Sequence, residues 1–346
     1  MKDEYVIEIP GKVVINGGYL VLNEPNECVC IVPNIKSRIK VSKKISEKTI
    51  ISIKTNFLDS CVFEYNNSRF IISNFTDIES SMIYCLNLAN AFLDVTGIVP
   101  ANQHIELFIN LEDILFSTKK ATIKDSIKTG LGSSCVFLIA IVDALLEISM
   151  EEREFFDLCI QVNSKISPKS SGCDIGSTLL GNIIYKKHEY TKIRCLNSDY
   201  AMILCSFNSS TNTRTMLDFV DLSDHKWKNL NIINNEIIHI FRSSQHLEPE
   251  ACIRLKKLYK DYLVTLRNIS TQIVPEKQYE LLLKTFKMPV VGCGVSGSGG
   301  EDCVWVIVSK ANLIDVYSFL NNNFSYTRVV TDLSGESNLS KLKKLL

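Results

Sequence analysis

Val136-Phe137-Leu138-Ile139-Ala140-Ile141-Val142 is an apolar run that continues past Asp143 to Ile148. It is too long for an ordinary strand and has no polar face, so the sequence predicts a helix buried on all sides. Such a helix has to lie at the centre of the fold. Directly before it stands Lys128-Thr129-Gly130-Leu131-Gly132-Ser133-Ser134-Cys135. A glycine loop running into a helix start leaves backbone N–H groups without intrahelical partners. With the positive end of the helix dipole, those donors suit phosphate oxygens. Gly130 and Gly132 let the backbone curl close to a ligand, and the Ser133 and Ser134 hydroxyls can reach oxygen or a magnesium ion. An ordinary serine N-cap before a core helix is the competing reading, because a glycine-rich match decides nothing outside its structural setting.

The chain has 346 residues, which suggests about two domains. Lys plus Arg equals Asp plus Glu at 38 each, so no charge surplus draws it to nucleic acid or acidic lipid. The charged start, Met1-Lys2-Asp3-Glu4-Tyr5, has no signal-peptide pattern, and no uninterrupted apolar run is long enough to span a bilayer. The expected location is cytoplasmic, with no membrane partner. Twelve cysteines lie scattered from Cys28 to Cys303, many inside apolar runs, which suits reduced, buried thiols. There is no CxxC pair, and the five histidines show no metal-ligand spacing, so the sequence argues against a structural zinc site.

The first 75 residues read as β-rich, with strands at 5–9, 12–22, 28–32, 35–41 and 50–53. Thr76-Asp77-Ile78-Glu79 is a capping-box pattern opening a helix to about Val95, stopped by Gly97. A strand follows at 105–110, then a polar loop over 111–127. After the buried helix come an amphipathic helix at 151–164, a breaker-rich loop at 168–174 and a strand at 182–187. A domain boundary is expected near residue 197. Beyond it the sequence predicts a strand at 200–206, helices around 223–246, 249–269 and 276–287, a strand at 303–308, a helix at 311–320 and a strand at 326–330. Pro249 and Pro275 stand at or just before two of those helix starts, where a missing N–H costs nothing. The tail from Lys341 to Leu346 reads as a frayed helix end.

A second glycine cluster, Gly292 to Gly300, contains GxGxxG over residues 292–297. A strand follows it rather than a helix, which removes the dinucleotide-binding reading. Five glycines in nine residues cost backbone entropy and suggest a close approach to a ligand. Near the N-terminus, Lys12 follows a Pro10-Gly11 turn, and Gly17-Gly18 interrupts a strand pattern, as at a bulge or a close backbone approach.

Pro-Gly-Lys at 10–12, Gly-Leu-Gly-Ser-Ser at 130–134 and Gly-Ser-Gly-Gly at 297–300, in this order, resemble the three motifs of the GHMP kinases. Within that superfamily, Gly17-Gly18-Tyr19-Leu20-Val21-Leu22 resembles the phosphomevalonate kinases, where mevalonate kinases usually carry Gly-Glu-His. Lys128-Thr129, Ser171-Gly172-Cys173-Asp174 and Gly181-Asn182-Ile183-Ile184-Tyr185 fit the same family. Cys135 and Ser298 depart from it, and Asn163 stands where mevalonate kinases place a magnesium-binding glutamate.

The resemblance implies an α+β, two-domain fold: an N-terminal domain like the second domain of ribosomal protein S5 over residues 1–197, and a ferredoxin-like C-terminal domain over 198–346. It implies transfer of the ATP γ-phosphoryl group to 5-phosphomevalonate with Mg²⁺, by a monomer or weak homodimer. Lys12 and Asp174 would be the catalytic pair. Lys128, Gly130, Leu131, Gly132, Ser133 and Ser134 would bind ATP, with Ser134 on the metal. Lys12, Gly18, Tyr19, Ser171, Gly297, Ser298 and Gly299 would meet the acceptor. Arg214 and Lys169 are further candidates for the acceptor phosphate. Mevalonate kinase or another GHMP small-molecule kinase, and a non-catalytic metabolite sensor on the same fold, are the rival readings.

Overall fold

In Lys36–Ile45, Ile39 and Val41 are buried while Arg38 and Lys40 are exposed, the alternation of a strand with one wet face. This strand, β4, is the long element of a six-stranded sheet. The computed structural model of the chain describes residues 3–56, 60–73, 80–116, 127–128, 130–146, 150–187, 189–196, 198–207, 216, 225–300 and 303–335. The sheet runs β1 (Asp3–Pro10), β4, β8 (Gln103–Asn110), β5 (Ile50–Thr55), β6 (Cys61–Asn66) and β7 (Arg69–Ile72). Neighbours are antiparallel except β5 and β8.

The predicted central helix is there. It is α2 (Ser133–Leu145), between α1 (Ser80–Thr96), α3 (Glu152–Ile166) and the six-stranded sheet. Every residue from Cys135 to Leu145 is buried except Asp143, which is half-buried. Tyr5 Oη of β1 donates to Asp143 Oδ2 at 3.0 Å and ties the helix to the sheet. Burial pushes the Asp143 carboxyl up from 3.8 to about 6, partly opposed by that hydrogen bond. The folded chain therefore holds this proton more tightly than the unfolded one. The associated stability is full below pH 3.8 and lost as pH rises through about 6. Asp143→Asn keeps an acceptor for Tyr5 and removes the charge. The variant should gain up to about 2 kcal/mol at pH 8 and nothing below about pH 4, read as the difference in Tm between the two pH values.

A second sheet, order β12 (Glu189–Lys192), β11 (Ile183–Lys186), β3 (Cys28–Ile31) and β2 (Val13–Asn16), carries α4 (Cys173–Leu180) against β3 and β11. The third, order β14 (Val290–Val295), β15 (Val304–Ser309), β13 (Tyr200–Ser206) and β16 (Tyr326–Val330), has α5 (Lys226–Ser243), α6 (Pro249–Ile269) and α7 (Glu276–Thr285) between β13 and β14. With α8 (Leu313–Asn321) between β15 and β16, the connectivity is the split βαβ of a ferredoxin-like unit. A two-stranded ribbon pairs β9 (Leu115–Phe116) with β10 (Ile127–Lys128). No helix among the described residues is long and apolar enough to cross a membrane.

Several expectations change. The strand expected over 12–22 stops at Asn16, and Leu20–Leu22 is a 3₁₀ turn, because Gly17 turns into the left-handed region at φ +76°. The expected loop at 168–174 ends inside α4, whose N-cap is Gly172. The polar stretch 111–127 contains β9 and reaches β10. Strands β6, β7 and β12 were not expected. The capping box at Thr76–Glu79 and the tail from Lys341 lie outside the described residues. Two glycines of the second cluster also have another purpose. Gly292 and Gly294 sit in β14, where a Cβ would stand 2.4 Å from the Tyr259 ring and 3.1 Å from Trp305. They let α6 and β15 pack on the strand, not a ligand.

Candidate active site

Between Val14 and Asn16 the register of β2 on β3 slips by one residue, a bulge that bends the strand end. The chain then turns at Gly17, where a Cβ would lie 2.3 Å from Glu27 O. Gly17 N–H donates to Tyr262 Oη at 2.9 Å, and Asn16 Nδ2 donates to Asn234 Oδ1 at 2.7 Å. Asn234 Nδ2 in turn donates to Glu27 O at 2.9 Å. These contacts hold the first loop on α5 and α6. Nothing local marks Asn16, Asn234 or Tyr262 in the sequence, because each looks like an ordinary helix or strand residue until the chain is folded.

At the other end of β2, the Lys12 N–H donates to Leu131 O at 3.0 Å, and Gly11 N–H to Ile35 O at 2.8 Å. The Pro-Gly-Lys turn therefore lies directly on the glycine loop before α2. Gly130 and Gly132 both have positive φ, +71° and +82°. A Cβ on Gly132 would stand 2.9 Å from Lys12 Cε, and one on Gly130 2.8 Å from Ser296 Oγ. The glycines are needed for conformation and for room. Beyond them Leu131 is buried, Gly132 and Ser133 are half-buried and Ser134 is exposed. The N-terminal turn of α2 is thus open, while the rest of the helix is closed in the core. A short loop that aims helix amides at solvent is the arrangement that takes phosphate.

Lys12 is the hub. Its Nζ makes a 2.9 Å ion pair with Asp174 Oδ1 and donates to Gly130 O at 3.3 Å. The lysine side chain is 6% exposed, while the Asp174 side chain is 42% exposed. Burial pulls the Lys12 ammonium down, but the Asp174 carboxylate and the nearby Cys173 and Cys30 sulfurs together outweigh it and hold Lys12 above the usual lysine range. Asp174 itself is pushed up by burial and pulled back by Lys12, with the upward effect the larger. Asp174 sits in the first turn of α4, set there by the left-handed Gly172 cap. Ser171 Oγ accepts from Cys173 N–H at 3.3 Å, and Tyr185 Oη donates to Ser171 O at 2.9 Å.

The third loop closes over the same point. A Cβ on Gly297 would lie 4.0 Å from Lys12 Nζ, and one on Gly18 3.0 Å from Gly297 O. Gly297 N–H donates to Val14 O at 3.3 Å, and Tyr19 Oη donates to Ser298 O at 2.7 Å. Gly299, at φ +68°, leaves its missing Cβ 2.3 Å from Ile273 O. Tyr19 is buried and packs at 5.7 Å from the Trp227 ring, so it works as a latch between the first and third loops. Tyr19→Phe removes the latch bond and should cost about 1 kcal/mol, measured as a lower Tm in calorimetry.

The structure therefore brings together Lys12, Gly18, Tyr19, Gly130, Leu131, Gly132, Asp174, Gly297 and Ser298, with Ser133 and Ser134 on the adjoining helix turn. Ser171 sits one residue before the cap of α4. Lys128 pairs with Leu115 through the backbone, and its side chain lies outside the described part. Arg214 also lies outside it. Lys169 is exposed in the turn after α3, and Asn163 is half-buried on α3. Ser296, fully buried beside Gly130, makes no hydrogen bond through Oγ among the described residues. Its place inside the glycine cluster was the signal that could have marked it.

No protein-family model matches the chain, and no curated protein matches it significantly in sequence. Solved structures do match. Mevalonate kinase of Methanococcus jannaschii superposes with TM-score 0.70 at 18% identity, covering 94% of this chain and 97% of that one. Streptococcus pneumoniae phosphomevalonate kinase, in complex with phosphomevalonate and AMPPNP, gives 0.68 at 14%, covering 94% and 100%. Lactococcus lactis galactokinase complexed with galactose gives 0.69 at 13%, covering 96% and 94%. At these identities the likeness speaks for architecture. The chain has the two-domain α+β fold of the GHMP kinases.

Proposed function

We propose that the chain is a small-molecule kinase that passes the γ-phosphoryl group of ATP to the phosphate of 5-phosphomevalonate, giving ADP and 5-diphosphomevalonate. The observation that carries this reading is Lys12, buried where three glycine-rich loops and the start of α4 converge and paired to Asp174. Phosphoryl transfer needs positioning and charge neutralisation more than covalent chemistry. The α2 amides and the Gly130–Ser134 loop would hold the β- and γ-phosphates. The exposed Ser134 hydroxyl, in the first turn of α2, suits a hard cation such as Mg²⁺. That ion would supply neutralisation of phosphate charge. Asn163 offers only a neutral amide oxygen in place of a carboxylate.

The acceptor chemistry decides the roles of Lys12 and Asp174. A phosphate monoester has its second pKa near ~6 and is mostly dianionic at neutral pH, so it needs no base to become a nucleophile. Its problem is repulsion from the ATP phosphates. Lys12 answers that with a fixed positive charge, and Asp174 orients it. Gly18, Gly297, Ser298, Gly299 and Ser171 would line the acceptor side, with Tyr19 holding the first and third loops together. The segment Gly17-Gly18-Tyr19 favours this acceptor over mevalonate.

The test is ADP release by purified protein with Mg-ATP over a panel of acceptors. 5-Phosphomevalonate should give the highest kcat/KM. Turnover of mevalonate alone would move the assignment to mevalonate kinase, and tight nucleotide binding with no ADP would move it to a sensor.

A further inference from the structure

Behind the Lys12–Asp174 pair lie three cysteines. Cys28 and Cys30 alternate along β3 and so face the same side of the strand, and Cys173 is the first residue of α4 packed against it. Their Sγ atoms all lie within 4.8 Å of one another, and Cys28 Sγ stands 3.8 Å from Cys30 Sγ. Among the described residues no other three metal-ligating side chains cluster this closely. Three thiols at this spacing are not needed to fill a core, where Val or Ala would serve.

We propose that Cys28, Cys30 and Cys173 form a zinc(II) site, with Asp174 as the fourth ligand once it turns away from Lys12. The spacing fits the ion. Zn–S bonds of about 2.3 Å in a tetrahedron separate two sulfurs by about 3.8 Å, and Zn–O bonds of about 2.0 Å put sulfur and oxygen about 3.5 Å apart. Asp174 Oδ1, now paired with Lys12, already lies 3.6 Å from Cys173 Sγ, so its carboxylate is close enough to reach the site by a side-chain rotation. Charge is met in part. Three thiolates, the Asp174 carboxylate and zinc(II) carry two net negative charges, one of which the Lys12 ammonium in the same buried region offsets. Binding forms three S–Zn bonds and one O–Zn bond, breaks the Lys12–Asp174 ion pair, releases three thiol protons to solvent and involves no redox change. The half-exposed Asp174 carboxylate marks the way in, since Cys28 and Cys30 are fully covered.

The site shares Asp174 with the candidate phosphoryl-transfer centre, so zinc and an oriented Lys12 exclude each other. On the proposed kinase reading, zinc silences the enzyme. Zinc binding itself does not depend on that reading.

The experiment titrates zinc(II) into reduced, metal-free protein against a chromophoric chelator, with cobalt(II) as a spectroscopic substitute. One zinc per chain is expected, and cobalt should give intense tetrahedral bands with thiolate charge transfer. Cys28→Ala and Cys30→Ala should each weaken binding by at least about 100-fold, since even loss of an outer-shell partner costs 10–100-fold. Cys85→Ala, a buried thiol elsewhere in the core, should bind as the wild type does. Thermal melts of the metal-free variants establish that they are folded, and Cys30→Ser replaces any that is not. Undiminished binding in the folded Cys28→Ala and Cys30→Ala variants, or weak octahedral cobalt bands, overturns the site. In the activity arm, zinc should abolish ADP release by the wild type and spare Cys30→Ala. Inhibition equal in both removes the coupling to Asp174. Zinc bound by a protein that makes ADP with no acceptor defeats the kinase reading and leaves the metal site standing.

Discussion

Lys12→Met should lower kcat for phosphoryl transfer by about 10³-fold, while Asp174→Asn should lose no more than about 10²-fold. Methionine matches the lysine stem in length and is at home in a buried position, so the fold should tolerate it. What disappears is the Lys12 ammonium at the meeting point of the three loops, which opposes repulsion between donor and acceptor phosphates. In Asp174→Asn the lysine stays in place, held also by Gly130 O at 3.3 Å. Burial is then less opposed and pulls its ammonium down, so the loss should deepen as pH rises. The asparagine can still accept from Lys12, and the half-exposure of this position keeps the stability loss near ~1 kcal/mol. Because Lys12 is held above the usual lysine range, it stays charged through pH 9. The pH profile with 5-phosphomevalonate should rise through the second phosphate ionisation near ~6 and show no falling limb from Lys12 below pH 9. Stopped assays of both variants between pH 6 and 9 read all of this. A greater loss in Asp174→Asn than in Lys12→Met would make Asp174 a general base and reverse the assignment.

The second large effect is on the scaffold. Gly17→Ala should destabilise the protein by about 3 kcal/mol or more and lower Tm by roughly 10 °C. Two costs coincide there. The residue has φ +76°, and its new Cβ would meet Glu27 O at 2.3 Å and Cys28 Cα at 2.7 Å, both backbone atoms that cannot swing aside. Gly97 separates the two, since it also has positive φ, +65°, but nothing lies within 4 Å of its missing Cβ. Gly97→Ala should therefore cost only the conformational part, about 1 kcal/mol. Urea melts of both variants give the comparison. Equal losses would mean that the packing of β3 against the Gly17 turn contributes nothing.

What could be read in advance followed from local chemistry. The apolar run after Ser134 has no polar face, and it became the central helix. The two prolines at 249 and 275 marked helix starts because proline lacks the N–H that a helix start leaves unpaired anyway. Lys12, Gly130–Ser134, Asp174 and Gly297–Ser298 were named as a set through motif order, and they converge in space. What escaped was set by tertiary contact. Gly292 and Gly294 looked like ligand glycines, yet they make room for Tyr259 and Trp305, rings that come from distant segments. The strand pattern from Lys12 overruns the actual strand, because Tyr19-Leu20-Val21-Leu22 has strand propensity that the Gly17 turn overrides. Cys28 and Cys30 are visible as a Cys-x-Cys pair, but nothing in the sequence tells that residue 173 folds onto them. The sequence argues against zinc on spacing along the chain, whereas the proposed site rests on spacing across β3 and α4.

The most direct measurement is calorimetric titration of a non-hydrolysable ATP analogue with Mg²⁺ into the wild type and Gly132→Asp. Aspartate tolerates the left-handed conformation that Gly132 adopts better than most residues, and the atoms nearest its Cβ are methylenes of the Lys12 stem, which must give way. The substitution thus leaves the helix in place and sets a negative charge before its amides. The wild type should bind one nucleotide per chain, and the folded variant should bind none. Equal binding by both would mean that the triphosphate does not sit at the start of α2, and the kinase assignment would fall with it.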